Sequence, residues 1–307
     1  MVQSPPVRVY EMAQQIDRDA TTMTKPILPF LETMLTQSCN LSCKGCTNYS
    51  DLRHSGYVTW SDGKRDLEQW LDRIDIPDFG LMGGEPLINP EVRDWLTGCR
   101  ELMPDSQLRF TTNGELLHKH LDILDLVHDI GNTVFKISVH RFDKRLEDII
   151  DYIFNKYKWE VVHEYGITRY LNTKNNVRFQ VNRPQTFIKT YRHDYDDMLP
   201  YDSKPEESFD ICVQQTCPLL YKSRIYKCST SGLLSDTLVK TDNADSMVWN
   251  QYKQYRGIGL EDSLADINKF ISTFGKPESI CAMCPSSRET EAILVHQNKV
   301  RSKNNKL

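Results

Sequence analysis

One run constrains this chain more than any other: Cys39-Asn-Leu-Ser-Cys43-Lys-Gly-Cys46. Its C-x3-C-x2-C spacing offers three thiols from a single short loop. A cubane [4Fe–4S] cluster has four iron corners and is usually held by four cysteines. Three thiolates hold three corners and leave the fourth iron open to a reactant. The plain alternative is a zinc knuckle. Zinc sites favour paired C-x2-C or Cys/His spacings, and this loop has no histidine and no fourth cysteine. The spacing therefore points to a cluster.

Around that loop the hydrophobic pattern alternates between two periods. Phe30 to Leu35 reads as a first strand entering the cysteine loop. Leu67, Trp70, Leu71 and Ile74 repeat at i, i+3, i+4, i+7 and predict a helix. Phe79–Met82 is a second strand, and Pro90–Met103 a helix with proline at its first turn. Leu108–Thr111 is a third strand. Leu116–Ile130 is a helix with Gly131 as its stop. Val134–Val139 is a fourth strand, and Val177–Val181 a fifth. Between these two, Leu146, Ile149, Ile150, Ile153, Phe154 and Tyr157 form a core-facing helical stripe. Cys99, beside Trp95 and Leu102, reads as core. Strands alternating with helices predict an α/β fold with a parallel sheet and right-handed crossovers. A sixth strand, somewhere after Val181, is not resolved by pattern.

The residues after these strands carry a family likeness. The cysteine loop, the Gly83-Gly84-Glu85-Pro86 segment and Thr111-Thr-Asn-Gly114 follow strands one, two and three. In this order they resemble the radical SAM superfamily, from about Glu32 to about Arg183. The resemblance implies a partial (β/α)6 TIM-type barrel. It also implies a [4Fe–4S] cluster on Cys39, Cys43 and Cys46, with S-adenosylmethionine contacted by Gly83, Gly84, Glu85, Pro86 and Asn113. Chemistry in such barrels sits at the C-terminal ends of the strands. Glycines there let backbone approach a ligand closely. Gly45 departs from the family pattern, which often has an aromatic residue before the third cysteine. Contact with the adenine is then expected from elsewhere, with Tyr49 the candidate.

Past residue 205 the βα rhythm stops and five cysteines follow: Cys212, Cys217, Cys228, Cys281 and Cys284. Cys217 and Cys228 flank a stretch, Leu219–Lys227, that suits a short hairpin. Cys281-Ala-Met-Cys284 is a C-x2-C pair. This region resembles the twitch domain, a shortened SPASM domain with one auxiliary [4Fe–4S] cluster. The resemblance maps Cys217, Cys228, Cys281 and Cys284 onto its ligands. Zinc on the same thiolates is the alternative. Cys212 either replaces Cys217 as a ligand, is a buried hydrophobe, or donates a hydrogen atom to a substrate radical. The domains expected are an N-terminal arm over 1–28, the barrel over 29–205 and the small cluster domain over 206–307.

Composition narrows the partners. A net charge of −4 gives no basic footprint for nucleic acid. No apolar run approaches the ~20 residues of a membrane helix, and the first residues lack a secretory pattern. A cytoplasmic setting is therefore expected. Nine cysteines there read as metal ligands and free thiols rather than disulfides. The resemblance implies reductive cleavage of S-adenosylmethionine to a 5′-deoxyadenosyl radical, with a flavodoxin or ferredoxin as electron donor. A cluster with four protein ligands suits electron acceptance, hence net oxidation of a polar small molecule such as a sugar or aminocyclitol alcohol. His140, Arg141, Asn182 and Arg183 follow strands and are candidates to face that substrate. Modification of a ribosomal peptide is the alternative; only about 28 residues precede strand one, against the roughly 80 of a typical peptide-recognition domain. A non-catalytic metal-binding module leaves the Gly-Gly-Glu-Pro segment unexplained.

Overall fold

The structure is a computed structural model that describes residues 25–157, 160–164, 167–172, 175–184, 186–288 and 290–292. Most of the expected N-terminal arm, up to residue 24, lies outside the described residues, as do residues 293–307 and the side chain of Phe154.

Strands β1 (Leu31–Met34), β2 (Asp78–Met82), β3 (Gln107–Thr112), β4 (Thr133–Ser138) and β7 (Val177–Asn182) lie side by side in parallel. Helices α1 (Trp60–Leu71), α2 (Val92–Leu102), α3 (Asp122–Ile130) and α4 (Lys144–Tyr157) fall between β1, β2, β3, β4 and β7 in sequence. Local signals set their ends. Thr59 caps α1 by accepting from the Asp62 N–H at 3.2 Å. Gly131 ends α3 at φ +63°, a conformation open to glycine. Beyond β7, strands β6 (Ile167–Asn172) and β5 (Glu160–Glu164) continue the sheet in antiparallel fashion.

The sixth parallel strand comes from an unexpected place. The hairpin after Cys217 is real, formed by β9 (Leu219–Tyr221) and β10 (Arg224–Tyr226). Its first arm pairs in parallel with β1, Glu32 opposite Leu219 and Thr33 opposite Leu220. Strand β11 (Ile258–Gly259) then pairs with β10. The segment expected as a separate small domain thus shares one ten-stranded sheet with the barrel strands.

The two faces of the sheet differ in chemistry. One packs Leu31, Phe79, Leu81, Phe110, Phe135, Ile137 and Phe179 against Trp70, Trp95, Ile123, Leu146 and Ile150 of the helices. The rings of Phe110, Phe135 and Phe179 stack in sequence at 5.3 and 5.5 Å. Each such burial contributes on the order of 1.5–3 kcal/mol. Cys99 is fully buried in this core. Parity in the register puts Glu32 and Arg109 on the opposite face, with Lys136 and Gln180 one layer nearer the strand ends. Strands buried on both faces of a parallel sheet are normally apolar throughout, so this polar face marks an interior built for something other than packing. A second core joins Met34, Tyr49 and Leu219 to Tyr191, Met198, Leu234, Trp249, Tyr252 and Met283. It seats the later chain beneath the cysteine loop.

Candidate functional site

The expected residues gather where the parallel strands end. Gly84 N–H donates to Thr36 O at 2.7 Å, and Glu85 N–H to Ser38 O at 2.8 Å, stitching the loop after β2 to the approach of the cysteine loop. A Cβ on Gly83 would stand 2.5 Å from Thr36 O, and one on Gly84 2.3 Å from Ser38 O. These glycines therefore serve first the contact between two loops of the chain itself. The Glu85 carboxyl turns inward. It accepts from Thr112 Oγ1 at 2.6 Å, Asn113 N–H at 2.7 Å and Leu87 N–H at 3.1 Å. Burial raises it to about 7, against the pull of those hydrogen bonds. Pro86 opens a short helical turn, Pro86–Ile88, that Glu85 caps.

Within the cysteine loop, Cys46 N–H donates to Cys43 O at 3.1 Å. Cys39 Sγ accepts from Leu41 N–H at 3.4 Å and has Asn113 Nδ2 at 3.9 Å. Burial pushes the Cys43 thiol up to about 12, with Cys46 and Asp51 adding to the rise. Cys39 and Cys46 are raised by burial too, and Cys39 also by its two partner cysteines. Three buried thiols close enough for Cys39 to feel both others suit a cationic centre, and an iron cluster supplies positive charge to all three. Asn40, Asn113, Glu115 and Arg141 brace the loop. Asn113 Nδ2 donates to Asn40 Oδ1 at 2.8 Å, and Arg141 grips Glu115 with two hydrogen bonds, one of 2.6 Å.

Several expected roles move. Tyr49 is fully buried in the second core, its ring 6.3 Å from that of Tyr191 and its hydroxyl near Cys284 and Cys228. Its N–H bonds to Cys46 O at 2.9 Å at φ +51°, so the chain turns beneath the loop and carries the ring away from its open side. The aromatic beside Gly45 is Phe187 of β8 (Thr186–Ile188), whose Cβ would lie 3.5 Å from a Cβ on Gly45. Gly45 itself sits at φ +77°. Arg183 pairs with Glu147 of α4 through two hydrogen bonds of 2.7 Å, and Arg141 is the loop brace just described. Asn182 accepts from Gln180 at 2.9 Å. His140 stands near the Phe187 ring at 5.5 Å, its Nδ1 buried without a hydrogen-bond partner, and burial lowers it to about 4.

The second cysteine group is also rearranged. Cys212, Cys228, Cys281 and Cys284 line one pocket together with Phe209, Ser231 and Lys227. Cys217 does not. It lies two residues before Leu219, so strand alternation turns its thiol to the polar face, beside Glu32, Lys136 and Arg109. Cys212 follows helix α5 (Pro205–Ile211) and takes the place expected of Cys217. Burial raises all four thiols, and Cys212 is pushed to about 12. Lys227, its side chain 6% exposed, supplies a cation at the pocket. It donates to Thr273 O at 3.0 Å and Lys276 O at 2.6 Å and pairs with Glu278 at 3.5 Å. A buried ammonium beside four thiols suits an anionic assembly. Among the described residues no three His, Cys, Asp or Glu side chains converge closely enough for a single ion. One tetrahedral zinc would hold its sulfurs about 3.8 Å apart, given Zn–S bonds of about 2.3 Å. A cubane spreads its thiolates over separate irons, a wider spacing than one zinc asks.

A profile of the radical SAM superfamily matches residues 33–175, the stretch that holds the cysteine loop, Gly83–Pro86 and Asn113. These residues form a radical SAM domain. Among curated relatives, molybdenum cofactor biosynthesis protein 1 of Dictyostelium discoideum is 26% identical over 190 residues, 59% of this chain and 29% of that protein. GTP 3′,8-cyclase of Rhodopirellula baltica is 30% identical over 112 residues, 33% of this chain and 31% of that one. The chain thus spans about a third of the length of these radical SAM relatives. Among solved structures, BtrN in complex with AdoMet and 2-DOIA aligns at 12% identity and TM-score 0.46, over 86% of this chain and 98% of BtrN. Streptococcus suis SuiB bound to S-adenosylmethionine aligns at 24% identity and TM-score 0.33, over 40% of this chain and 27% of SuiB. Such a domain implies a [4Fe–4S] cluster and S-adenosylmethionine. Among the described residues no helix is long and apolar enough to cross a membrane.

Proposed function

We propose that this radical SAM enzyme oxidises a polar small molecule by hydrogen-atom abstraction, with a second [4Fe–4S] cluster on Cys212, Cys228, Cys281 and Cys284. When bound, the first cluster and S-adenosylmethionine supply a 5′-deoxyadenosyl radical. Cys39, Cys43 and Cys46 hold that cluster. The Asn40–Asn113–Glu115–Arg141 brace fixes their loop, and Phe187 covers it beside Gly45, where an adenine would rest. The polar face below receives the substrate.

The observation that carries the oxidation is the contact between the two cysteine groups. Ser229, next to Cys228, donates to the carbonyl of Thr47, next to Cys46, at 3.4 Å, and the Thr230 hydroxyl lies 3.3 Å from the same carbonyl while also bonded to Gln214 Oε1. A four-thiol site leaves no iron free for substrate, so its proximity to the first loop suits an electron acceptor. The test is anaerobic reconstitution with an iron count. We expect about eight irons, from two four-iron clusters, and 5′-deoxyadenosine on reduction. Cys39, Cys43 and Cys46 all changed to alanine should leave about four irons and no 5′-deoxyadenosine. A folded Cys281→Ala, Cys284→Ala protein should still form some 5′-deoxyadenosine but little oxidised product. Native turnover by that double variant would sink the electron-acceptor role.

The curated relatives named GTP 3′,8-cyclase favour a second reading, a redox-neutral cyclisation of a nucleotide. The polar face has one cation unpaired among the described side chains, Lys136, next to the Glu32 carboxyl. That is a poor seat for a triphosphate. Conversion of GTP by the reconstituted protein would favour this reading.

A further inference from the structure

Glu32 and Lys136 are opposite charges on one face of the sheet, and neither has a protein partner among the described residues. Glu32 is 8% exposed, and its carboxyl makes no hydrogen bond and no ion pair among the described residues. Lys136 Nζ likewise has no hydrogen bond or ion pair among them. The two feel each other's charge but do not come within ion-pair distance. An unpaired buried carboxylate is costly, and burial accordingly raises Glu32 to about 8.

The nearest donor in the register is committed elsewhere. Arg109, in the same layer, forks onto Asp78 with two hydrogen bonds, one of 2.6 Å. Gly80, directly between them in the register, has no side chain, and a Cβ there would fall 2.9 Å from the Glu32 Cβ. Beside Lys136, Gln180 donates to Asn182. Two further groups in the same interior are unsatisfied: the Cys217 thiol next to both charges, and His140 Nδ1 toward the strand ends. Glu32, Lys136, Cys217 and His140 thus share one interior wall with no protein partner among the described residues, which suits a seat for a ligand better than a structural network.

We propose that Glu32 and Lys136 form a substrate subsite for a small polar molecule carrying a protonated amine and, at its other end, an oxygen acceptor. The amine donates to the Glu32 carboxylate, and the oxygen, a hydroxyl or carboxylate, accepts from Lys136. This rests on the reading above that a polar small molecule occupies this face. A molecule with both groups satisfies both residues at once. A neutral polyol brings no charge to favour the ionised form of Glu32, and a polyanion disfavours that form further.

The test uses the full reconstituted chain and calorimetric binding. D-Glucosamine is the probe, D-glucose its neutral match, and a short lysine-containing peptide the third arm. Glucosamine should bind at least about tenfold more tightly than glucose, as expected for a charge-assisted hydrogen bond. Glu32→Gln should remove that preference, and Lys136→Met should weaken both sugars. Both variants should bind S-adenosylmethionine as the native protein does, which also reports their folding. No saturable glucosamine binding, equal binding of the two sugars, or an unchanged Glu32→Gln protein would each overturn the subsite. Binding of the peptide alone would overturn it in favour of a peptide substrate. Formation of 5′-deoxyadenosine without any probe is measured separately, so failure of the subsite and failure of the radical reading give different results.

Discussion

Cys39, Cys43 and Cys46 come from one run of eight residues, whereas Cys212, Cys228, Cys281 and Cys284 are gathered from three separate stretches. The first group is shaped by backbone: hydrogen bonds from Gly84 and Glu85, and glycines that nothing larger replaces. The second is shaped by tertiary packing and by one buried ammonium, Lys227. A local metal loop keeps its geometry wherever it is placed. A gathered one depends on which face of a strand each thiol leaves by, and so its membership is decided only when the sheet forms.

The largest effect that distinguishes the two is a swap between neighbours. Cys212→Ala should lose the second cluster and about four irons, while Cys217→Ala should keep both clusters. Iron content and electron paramagnetic resonance after reduction read this directly. Retention of eight irons by Cys212→Ala, with loss in Cys217→Ala, would reverse the assignment. Next in size, Gly84→Ala places a methyl against Ser38 O and should cost about 1–3 kcal/mol as well as loosening the cysteine loop. Its signature is lower thermal stability together with a drop in first-cluster content and no change at the second. Equal loss at both sites would erase the contrast between local and gathered groups. Smallest is Thr230→Val, which removes a hydroxyl shared between Thr47 O and Gln214 Oε1 and should cost about 0.5–1.5 kcal/mol. It should leave both clusters in place. A large loss of either would mean that the contact is a fold-level hinge and not a local tie.

The same contrast explains what could be read beforehand. The cysteine loop, the Gly83–Pro86 segment and five strands are set by short-range pattern, and they appear where the pattern puts them. The sixth strand escaped because Leu219–Tyr221 is short and reads as one arm of a hairpin; only pairing with β1 reveals it as a barrel strand. Cys217 escaped for a related reason. Its parity with Leu219 decides its direction, and parity means nothing until the partner strand is known. Arg141 and Arg183 sit where substrate residues often sit, but position after a strand does not fix a long side chain's partner, and each found a glutamate. Glu32 and Lys136 did leave a trace. A charge at an alternating position inside an otherwise apolar parallel strand is unusual, and it could have been followed to the polar face.

The pairing of β1 with β9 has a consequence for how the protein is made. Thr33 Oγ1 donates to Leu220 O, and the two residues are 187 positions apart. During synthesis β1 must therefore wait with an open edge until almost three-quarters of the chain has emerged. Such long-range closure slows folding, and an unpaired edge invites pairing with other chains. A nascent chain stalled before Leu219 would carry the complete cysteine loop on an unfinished sheet, so the last parallel strand to arrive guards the first.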